Sequence, residues 1–108
     1  MKLGILISGR GSNMSAIAEA IENGTIPNAE IAVVISDQPN AQGLIKAQAK
    51  GIEILAIPRN GRKREEHDAE IAAELKKRGV ELVCLAGYMR LLSKDFIRDF
   101  PNQIINIH

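Results

Sequence analysis

The stretch that decides the fold is LGILISGRGSNM at residues 3–14. Residues 3–7 form a short and nearly continuous apolar run, which is typical of a strand covered on both faces. Gly9 and Gly11 then permit a tight turn and a close approach of the backbone, and Ser12 is of a type that caps helices. The stretch therefore predicts a strand, a glycine turn and a helix in immediate succession.

The alternation of strand and helix continues along the rest of the chain. Further apolar runs that are rich in β-branched residues predict strands at residues 30–36, 52–57, 80–86 and 103–107. Helix-like patterns predict helices at residues 12–23, 41–50, 65–78 and 93–100, the first three of which stop at Gly24, Gly51 and Gly79. This alternation predicts an α/β fold, an open parallel twisted sheet of about five strands with helices on both faces. Ligands of such sheets bind at the carboxyl ends of the strands, so we expect sites after the first, fourth and fifth strands.

The composition of the chain argues against a nucleic-acid-binding or a membrane-bound protein. The 108 residues suit one domain, and 14 Lys and Arg against 13 Asp and Glu give no overall electrostatic attraction to nucleic acid or to an anionic membrane. Any anion site must therefore be local. Cys84 is the only cysteine and lies in an apolar run, which indicates a buried thiol in a reducing compartment. No stretch approaches the roughly 20 apolar residues of a membrane span, and we expect a cytoplasmic protein.

The glycine turn has the features of an anion site. The backbone amides of Gly11, Ser12 and Asn13 would point out of the start of the helix, where the helix dipole favours negative charge and a phosphate is the usual occupant. Met14 stands where a dinucleotide fingerprint has its third glycine, and the P-loop lysine is absent, so we expect a single phosphate. The alternative is an ordinary strand-to-helix turn capped by Ser12. On these residues alone the two interpretations weigh equally.

Two further motifs follow the fourth and fifth predicted strands. GYMRLL at residues 87–92 is an apolar loop along which a flat ligand could lie, with Arg90 able to bind a carboxylate through its planar fork. The residues alone favour the alternative, a hydrophobic loop packed under the last helix. In INIH at residues 105–108, Asn106 and His108 lie on the same side of the strand, so the amide could stabilise an oxyanion while the imidazole moves a proton. For this motif by itself, a polar strand end that reaches solvent is the better interpretation.

Three other polar features are weaker indications. The stretch PRNGRKR at residues 58–64 holds four cations, which we interpret as solvated surface, the alternative being a mobile lid that offers a cation to an anionic ligand. His67 lies beside Asp68, but neighbouring helix residues do not face the same way, and we expect His67 at the surface or at a pocket rim. Asp37 follows the second strand, and we expect it to form a turn rather than to bind a ribose.

Taken together, ISGRGSN at residues 7–13, LAGYMRLLS at residues 85–93 and INIH at residues 105–108 resemble the phosphoribosylglycinamide formyltransferase family of purine biosynthesis. The likeness extends over the whole chain, and three motifs in this order at these intervals are far more specific than any one of them. The resemblance implies a Rossmann-like formyltransferase fold. It also implies transfer of a formyl group from 10-formyltetrahydrofolate to the primary amine of glycinamide ribonucleotide, with no metal ion.

The resemblance further implies a role for each matching residue. Gly11, Ser12 and Asn13 would bind the ribonucleotide phosphate, and Gly87 and Met89 would lie near its glycinamide end. The residues expected to line the folate pocket are Met89, Arg90, Leu91, Leu92 and Asn106, and Arg64 would bind the glutamate tail. His108 resembles the catalytic proton shuttle, while Asn106 would hold the formyl oxygen as it becomes an oxyanion.

The likeness departs from the family pattern at its end. Family members continue past this histidine with a proline-rich segment and an aspartate that raises the pKa of the imidazole, and neither is in this sequence. We therefore expect residues 1–108 to be the amino-terminal mononucleotide-binding domain of a longer enzyme, with the sheet truncated at its fifth strand and little activity alone. An open edge and an uncovered apolar face should lead to self-association or to pairing with the carboxyl-terminal part.

Other functions stay open at this point. Methionyl-tRNA formyltransferase and formyltetrahydrofolate hydrolase share the N-x-H strand, although SGRGSN at the first turn looks like the ribonucleotide enzyme. The alternative from another functional class is a noncatalytic mononucleotide-binding or phosphate-binding module. In such a module Asn106 and His108 merely close a strand.

Overall fold

The computed structural model describes residues 1–107, and His108 lies outside the described residues. Five strands and four helices alternate along these 107 residues, which confirms the predicted α/β pattern. The strands are β1 (Lys2–Ile7), β2 (Glu30–Ser36), β3 (Ile54–Ala56), β4 (Leu82–Ala86) and β5 (Ile104–Ile107), and the helices are α1 (Ser12–Glu22), α2 (Gln42–Ala49), α3 (Arg64–Lys77) and α4 (Lys94–Asp99). Within residues 1–107, every helix is too short or too polar to traverse a lipid bilayer.

β3 and β4 each begin two residues later than predicted, for one local reason. Gly51 ends α2 in a left-handed conformation with φ of 79°. The amide of the next residue, Ile52, then donates to the carbonyl oxygen of Ala47 at 3.1 Å and closes the helix end before β3 starts. β4 is shortened in the same way, by a bond of 3.1 Å from Val80 to Leu75. The residue after Gly51 and the residue after Gly79 therefore belong to helix ends, although their β-branched side chains are typical of strands.

The sheet has the order β3-β2-β1-β4-β5, and all neighbouring strands are parallel. β1 is central: the chain leaves it toward β2 and β3 on one side and continues into β4 and β5 on the other. This reversal creates a topological switch point at the carboxyl ends of β1 and β4, where a crevice opens between the diverging connections. The glycine turn after β1 and the loop after β4 both border it.

Helices cover both faces of the sheet. Ile5 and Ile7 of β1 pack in the cluster beneath α1 and α2, whereas Leu6 packs in the cluster beneath α3 and α4. A strand buried on both sides needs apolar residues at consecutive positions, which explains the unbroken runs in the sequence. On α3, Ile71 and Leu75 are buried as their spacing predicts.

The start of α2 fixes the shape of the glycine turn. The amide of Gly43 donates to the carbonyl oxygen of Gly9 at 3.0 Å. A Cβ atom on Gly43 would lie 2.4 Å from Cδ1 of Ile7, which is a steric clash, and 3.0 Å from Cα of Gly11. Gly11 has φ of 74° and ψ of 25°, a left-handed conformation that glycine adopts without strain. Backbone therefore meets backbone here, and both positions require glycine.

Gly43→Ala should destabilise the protein by about 1–3 kcal/mol, the usual cost of forcing a methyl group into a filled site. The measurement is the free energy of unfolding from urea denaturation. Gly9→Ala is the matched control, because a Cβ atom on Gly9 meets no atom within 4 Å. Its free energy of unfolding should change by less than about 0.5 kcal/mol. Equal losses for the two variants would contradict the close contact.

Candidate functional site

A cleft of about 490 Å³ opens at the carboxyl ends of β1 and β4. Its walls come from three segments that follow strands: the glycine turn after β1, the residues after β2 and the loop after β4. The lining residues are Ser8, Gly9, Arg10, Gly11, Ser12, Asn13, Asp37, Gln38, Ala86, Gly87 and Met89. The cleft therefore brings together all five residues that the resemblance assigns to the ribonucleotide.

The glycine turn presents the start of α1 to this cleft. Gly11 is the N-cap, and the amide of Ser15 donates to its carbonyl oxygen at 2.8 Å. In the described part of the chain no side chain caps α1, so the interpretation of Ser12 as the cap is wrong; Ser12 is the first helical residue. First-turn amides have no partner within their own helix. The left-handed Gly11 makes the turn and leaves the amides of Ser12 and Asn13 available to an anion.

The end of β5 approaches the same turn. Nδ2 of Asn13 donates to the carbonyl oxygen of Ile107 at 3.4 Å, a bond between residues 94 positions apart. Asn106 is exposed and pairs in register with Leu85 of β4. It therefore precedes by one residue the strand end that contacts the turn. His108, the expected proton shuttle, lies outside the described residues.

The loop after β4 is fixed by its backbone and exposes apolar side chains. The amide of Met89 donates to Oγ of Ser8 at 2.9 Å, which joins the loop to the end of β1. Met89 and Leu91 are 81 % and 73 % exposed, while Leu92 is half-buried against the cluster beneath α3 and α4. A loop packed under the last helix is therefore the wrong interpretation for Met89 and Leu91. Exposed apolar side chains beside a cleft indicate a contact surface.

Arg90 and Asp37 form an ion pair across the end of β1. Nε of Arg90 lies 2.6 Å from Oδ2 of Asp37, whose side chain is 3 % exposed. The turn after β2 is formed instead by Ser36, whose Oγ accepts a hydrogen bond from the amide of Gln38 at 3.0 Å. Asp37 therefore lies within the predicted turn, between Ser36 and Gln38, but its carboxylate is directed inward to a cation and does not stabilise that turn.

The contacts of Ser8 and Asp37 were not expected from the sequence. Ser8 directly follows β1, and Asp37 directly follows β2. Parallel sheets bind ligands at these strand ends, so the position of each residue in the sequence already indicated a place near a site. Their hydrogen-bond partners could not be predicted from the sequence, because Ser8 bonds to a residue 81 positions away and Asp37 to one 53 positions away. Both pairings depend on the order of strands in the sheet, which local patterns do not give.

A second, smaller cavity of about 180 Å³ lies between the loop of residues 58–64, called here the basic loop, and the loop after β4. It is lined by Arg59, Arg64, His67, Asp68, Met89, Arg90 and Leu91. Cations and exposed apolar side chains surround one space, which fits a ligand with an apolar body and an anionic end. Four of the residues assigned to the folate meet here; Leu92 and Asn106 do not line this cavity.

Arg62 closes the basic loop upon itself. Its Nε and Nη2 donate to the carbonyl oxygens of Arg59 and Pro58 at 3.1 and 2.8 Å, and its Nη1 lies 2.6 Å from Oε1 of Glu70. Nε of Arg59 donates back to the carbonyl oxygen of Arg62 at 2.6 Å. Arg64 is exposed at the start of α3 and has no hydrogen-bond or ion-pair partner among residues 1–107, so it is available to an anion.

His67 and Asp68 are each 1 % exposed, so a surface position for His67 is wrong. The alternative, a position at a pocket, agrees with its place in the lining of the second cavity. Nε2 of His67 lies 2.6 Å from the carbonyl oxygen of Ile57, to which it donates, and Oδ2 of Asp68 accepts from the amide of Ser93 at 2.6 Å. The sequence held the signal, because His67 precedes Ile71 by four positions and such residues share a helix face. The pair fastens α3 to two loops.

Within residues 1–107, no group of three or more His, Cys, Asp or Glu side chains could hold a metal ion.

The sequence model of the Formyl transferase family matches residues 1–108. The chain belongs to this family. Phosphoribosylglycinamide formyltransferase of Haemophilus influenzae is 40 % identical over 108 residues, which cover 99 % of this chain and 50 % of that protein. The trifunctional purine biosynthetic protein adenosine-3 of Drosophila melanogaster is 39 % identical over 109 residues, which cover 99 % of this chain and 8 % of that protein.

The fold likeness is equally close. The crystal structure of glycinamide ribonucleotide transformylase 1 from Symbiobacterium toebii superposes with a TM-score of 0.95 at 44 % identity, covering 100 % of this chain and 51 % of that one. The resemblance to phosphoribosylglycinamide formyltransferases and the five-stranded parallel sheet are thereby confirmed. Membership of a formyl transferase family also indicates a folate-type formyl donor. The chain spans about half the length of the Haemophilus and Symbiobacterium proteins.

Tyr88, in the loop after β4, has a buried hydroxyl with no hydrogen-bond partner among the described residues. Burial raises the pKa of this phenol well above its ordinary value; the carboxylates of Asp37 and Asp68 raise it further, and Arg90 lowers it. The folded protein therefore keeps Tyr88 protonated at pH values at which the unfolded chain loses the proton. The neutral phenol stabilises the folded state below the ordinary tyrosine pKa, and this contribution disappears as the pH rises through the folded-state pKa.

Stability should fall as the pH rises above about 10, by up to about 1.4 kcal/mol for each pH unit that Tyr88 stays protonated in the folded state alone. Tyr88→Phe should remove this component of the alkaline loss. The chain has one tyrosine and no tryptophan, so the absorbance of tyrosinate in an alkaline titration reports Tyr88 alone. Ionisation at the ordinary tyrosine pKa in the folded protein would contradict the buried placement.

Proposed function

We propose that residues 1–108 are the amino-terminal, mononucleotide-binding domain of an enzyme that transfers a formyl group from 10-formyltetrahydrofolate to the primary amine of glycinamide ribonucleotide in purine biosynthesis. One observation carries the proposal: the uncapped start of α1 and the exposed apolar loop after β4 border the same cleft. The first suits a phosphate and the second a flat heterocycle, the two groups that this reaction must hold together. The names of the relatives support this function.

The ribonucleotide phosphate binds to the amides of Gly11, Ser12 and Asn13. The dipole of α1 favours a doubly charged group there. Arg10 borders the same cleft and adds a cation. The glycinamide end then extends across the cleft toward Gly87 and Met89.

The folate lies along the loop after β4. Met89, Leu91 and Leu92 offer apolar contacts to its rings, and Met89 borders both cavities, so it lies between the two substrates. The glutamate tail enters the second cavity, where the guanidinium groups of Arg64 and Arg90 match its carboxylates. This arrangement puts the formyl group near the end of β5.

Formyl transfer needs position and charge stabilisation, because an unprotonated amine is already a competent nucleophile. The amine nitrogen attacks the formyl carbon, and the carbonyl oxygen becomes an oxyanion to which the amide group of Asn106 donates. His108 takes the proton that the amine loses and delivers it to the folate nitrogen, whose bond to the formyl carbon breaks. The products are the formylated ribonucleotide and tetrahydrofolate.

Two alternatives predict different results. A noncatalytic phosphate-binding module would bind the ribonucleotide and leave it unchanged when the formyl donor is present. A formyltetrahydrofolate hydrolase or another folate-dependent formyltransferase would use the loop after β4 without a nucleotide phosphate at the turn. Slower amide hydrogen exchange at residues 11–13 on adding the ribonucleotide therefore favours the proposed enzyme over the hydrolase, and formylation of the bound ribonucleotide favours it over the noncatalytic module.

A cytoplasmic location is part of the proposal. It rests on the free, buried thiol of Cys84, because free thiols are typical of proteins in a reducing compartment.

Formyl transfer by the 108-residue chain and by the full product of its gene tests the proposal. Asn106→Ala should lower kcat on the order of 100-fold or more, the usual loss when one oxyanion donor is removed. Ser12→Glu should raise the KM for the ribonucleotide at least about tenfold, because a carboxylate at the helix start repels the phosphate. We expect the 108-residue chain alone to turn over poorly.

Ala16→Glu is the control for Ser12→Glu. It introduces the same charge at an exposed position one turn further along α1, where it should change the KM by less than about twofold because solvent screens it. Equal effects of the two glutamates would refute phosphate binding at the turn. An unchanged kcat for Asn106→Ala would refute its role at the oxyanion.

We also propose that a carboxyl-terminal part of the same enzyme covers the α1 side of the sheet. An apolar groove of about 560 Å³ lies there between α1 and β5. Its lining includes Ile26 and Ile105, which are 37 % and 44 % exposed. Among the described residues, β5 is an edge strand that pairs with β4 alone. The Haemophilus relative contains as much sequence again as it shares with this chain, enough to fill the groove.

The 108-residue chain should self-associate through this groove as its concentration rises, because pairing removes the apolar surface from water. Ile105→Glu should keep it monomeric in sedimentation velocity experiments over the same concentrations. Ile45→Glu is the control, since Ile45 is exposed on α2, outside the groove, and its substitution should leave the association unchanged. A chain that stays monomeric without any substitution would rule out the groove as an interface.

A further inference from the structure

The pair of Arg90 and Asp37 stands between the two cavities of the site. Asp37 lines the cleft at the glycine turn, and Arg90 lines the second cavity beside Arg64. The two residues follow β4 and β2, the strands on either side of β1. One hydrogen bond of 2.6 Å, from Nε to Oδ2, therefore bridges the carboxyl end of the central strand.

This bond leaves the outer part of Arg90 free. It uses Nε alone, and the two Nη groups have no hydrogen-bond partner within residues 1–107. The side chain of Arg90 is 32 % exposed. A guanidinium held at Nε keeps its plane fixed, and its Nη groups then present two parallel donors, the arrangement that binds a carboxylate in bidentate fashion.

The backbone next to Arg90 is held as well. The amide of Met89 is bonded to Ser8, so the loop has one anchor through its backbone and one through the Arg90 side chain. A long side chain that is already ordered loses less conformational entropy when a ligand binds. The two anchors therefore prepare Arg90 for a ligand in the second cavity.

Asp37 depends on Arg90 in return. Its Oδ1 is buried without a hydrogen-bond partner in the described part of the chain, and its side chain is 3 % exposed. A buried carboxylate is tolerated when a cation compensates it, and Arg90 supplies that cation. This dependence explains why the hydrogen bond between Arg90 and Asp37 is short although it joins two loops.

We propose that Asp37 is a positioning residue that orients Arg90, so that the two Nη groups face the second cavity and bind the carboxylate end of the formyl donor. The inference rests on the proposed function, since the donor there is a folate with a glutamate tail. Asp37 acts through Arg90 and touches neither the donor nor the reacting atoms. Its loss should therefore affect the affinity for the charged tail and leave the affinity for the apolar rings unchanged.

The test compares two ligands in calorimetric titrations of the 108-residue chain: folic acid, and folic acid diamide, in which both glutamate carboxyl groups are amidated. The wild-type chain should prefer folic acid. Asp37→Asn should reduce this preference about tenfold, the usual effect of losing one charge-assisted hydrogen bond, with little change in the affinity for the diamide. In an Arg90→Lys background, which keeps the charge and removes the planar fork, Asp37→Asn should have no further effect on the preference.

A cooperative unfolding transition in urea reports whether each variant is folded. If Asp37→Asn does not fold, Arg90→Lys alone must show the same loss of preference. An equal weakening of both ligands by Asp37→Asn, or additive effects of the two substitutions, would overturn the positioning role. Normal folic acid binding with an unchanged preference in Asp37→Asn would overturn that role alone. A wild-type chain that binds phosphate but no folic acid would overturn the folate donor of the proposed function as well.

Discussion

The contact between Gly11 and Gly43 is the constraint on which the site depends. A helix start that is left without a cap is unstable unless something else fixes the chain that enters it. Here the start of α2 presses against the turn, with the amide of Gly43 bonded to Gly9 and no space for a Cβ atom between the two backbones. Packing therefore holds the shape that a capping side chain would otherwise hold. The amides at the start of α1 are kept free for an anion as a result.

The position of β1 in the sheet explains why distant residues meet. Three segments border the main cleft, and each follows a strand that is either β1 or its direct neighbour. Asn13 reaches Ile107 over 94 positions, and Met89 reaches Ser8 over 81. Residues 1–107 therefore build the floor of both cavities by themselves. The apolar groove beside β5 stays exposed, because β5 is an edge strand among these residues.

Local signals made the elements predictable and left their partners unknown. Stop glycines and apolar runs lie within one segment each, and the nine elements follow from them. The strand starts at residues 52 and 80 were wrong because one residue can end a helix while its side chain reads as strand. The burial of His67 was missed because the residue was compared with its neighbour and not with Ile71, one turn further along α3. The pairing of Asp37 with Arg90 depends on strand order, and no segment of the sequence contains that information.

Charge balance explains how an acid can line a cleft that suits a phosphate. An isolated carboxylate at Asp37 would repel an anion in the same cleft and would itself be destabilised by burial. Arg90 neutralises it from the side of the second cavity, so the cleft is spared the repulsion and the cation is fixed in place by the same bond. Replacing both residues by apolar side chains would also remove the repulsion, but it would leave the second cavity without an oriented guanidinium. The ion pair therefore gives the site an alignment that an apolar contact would not provide.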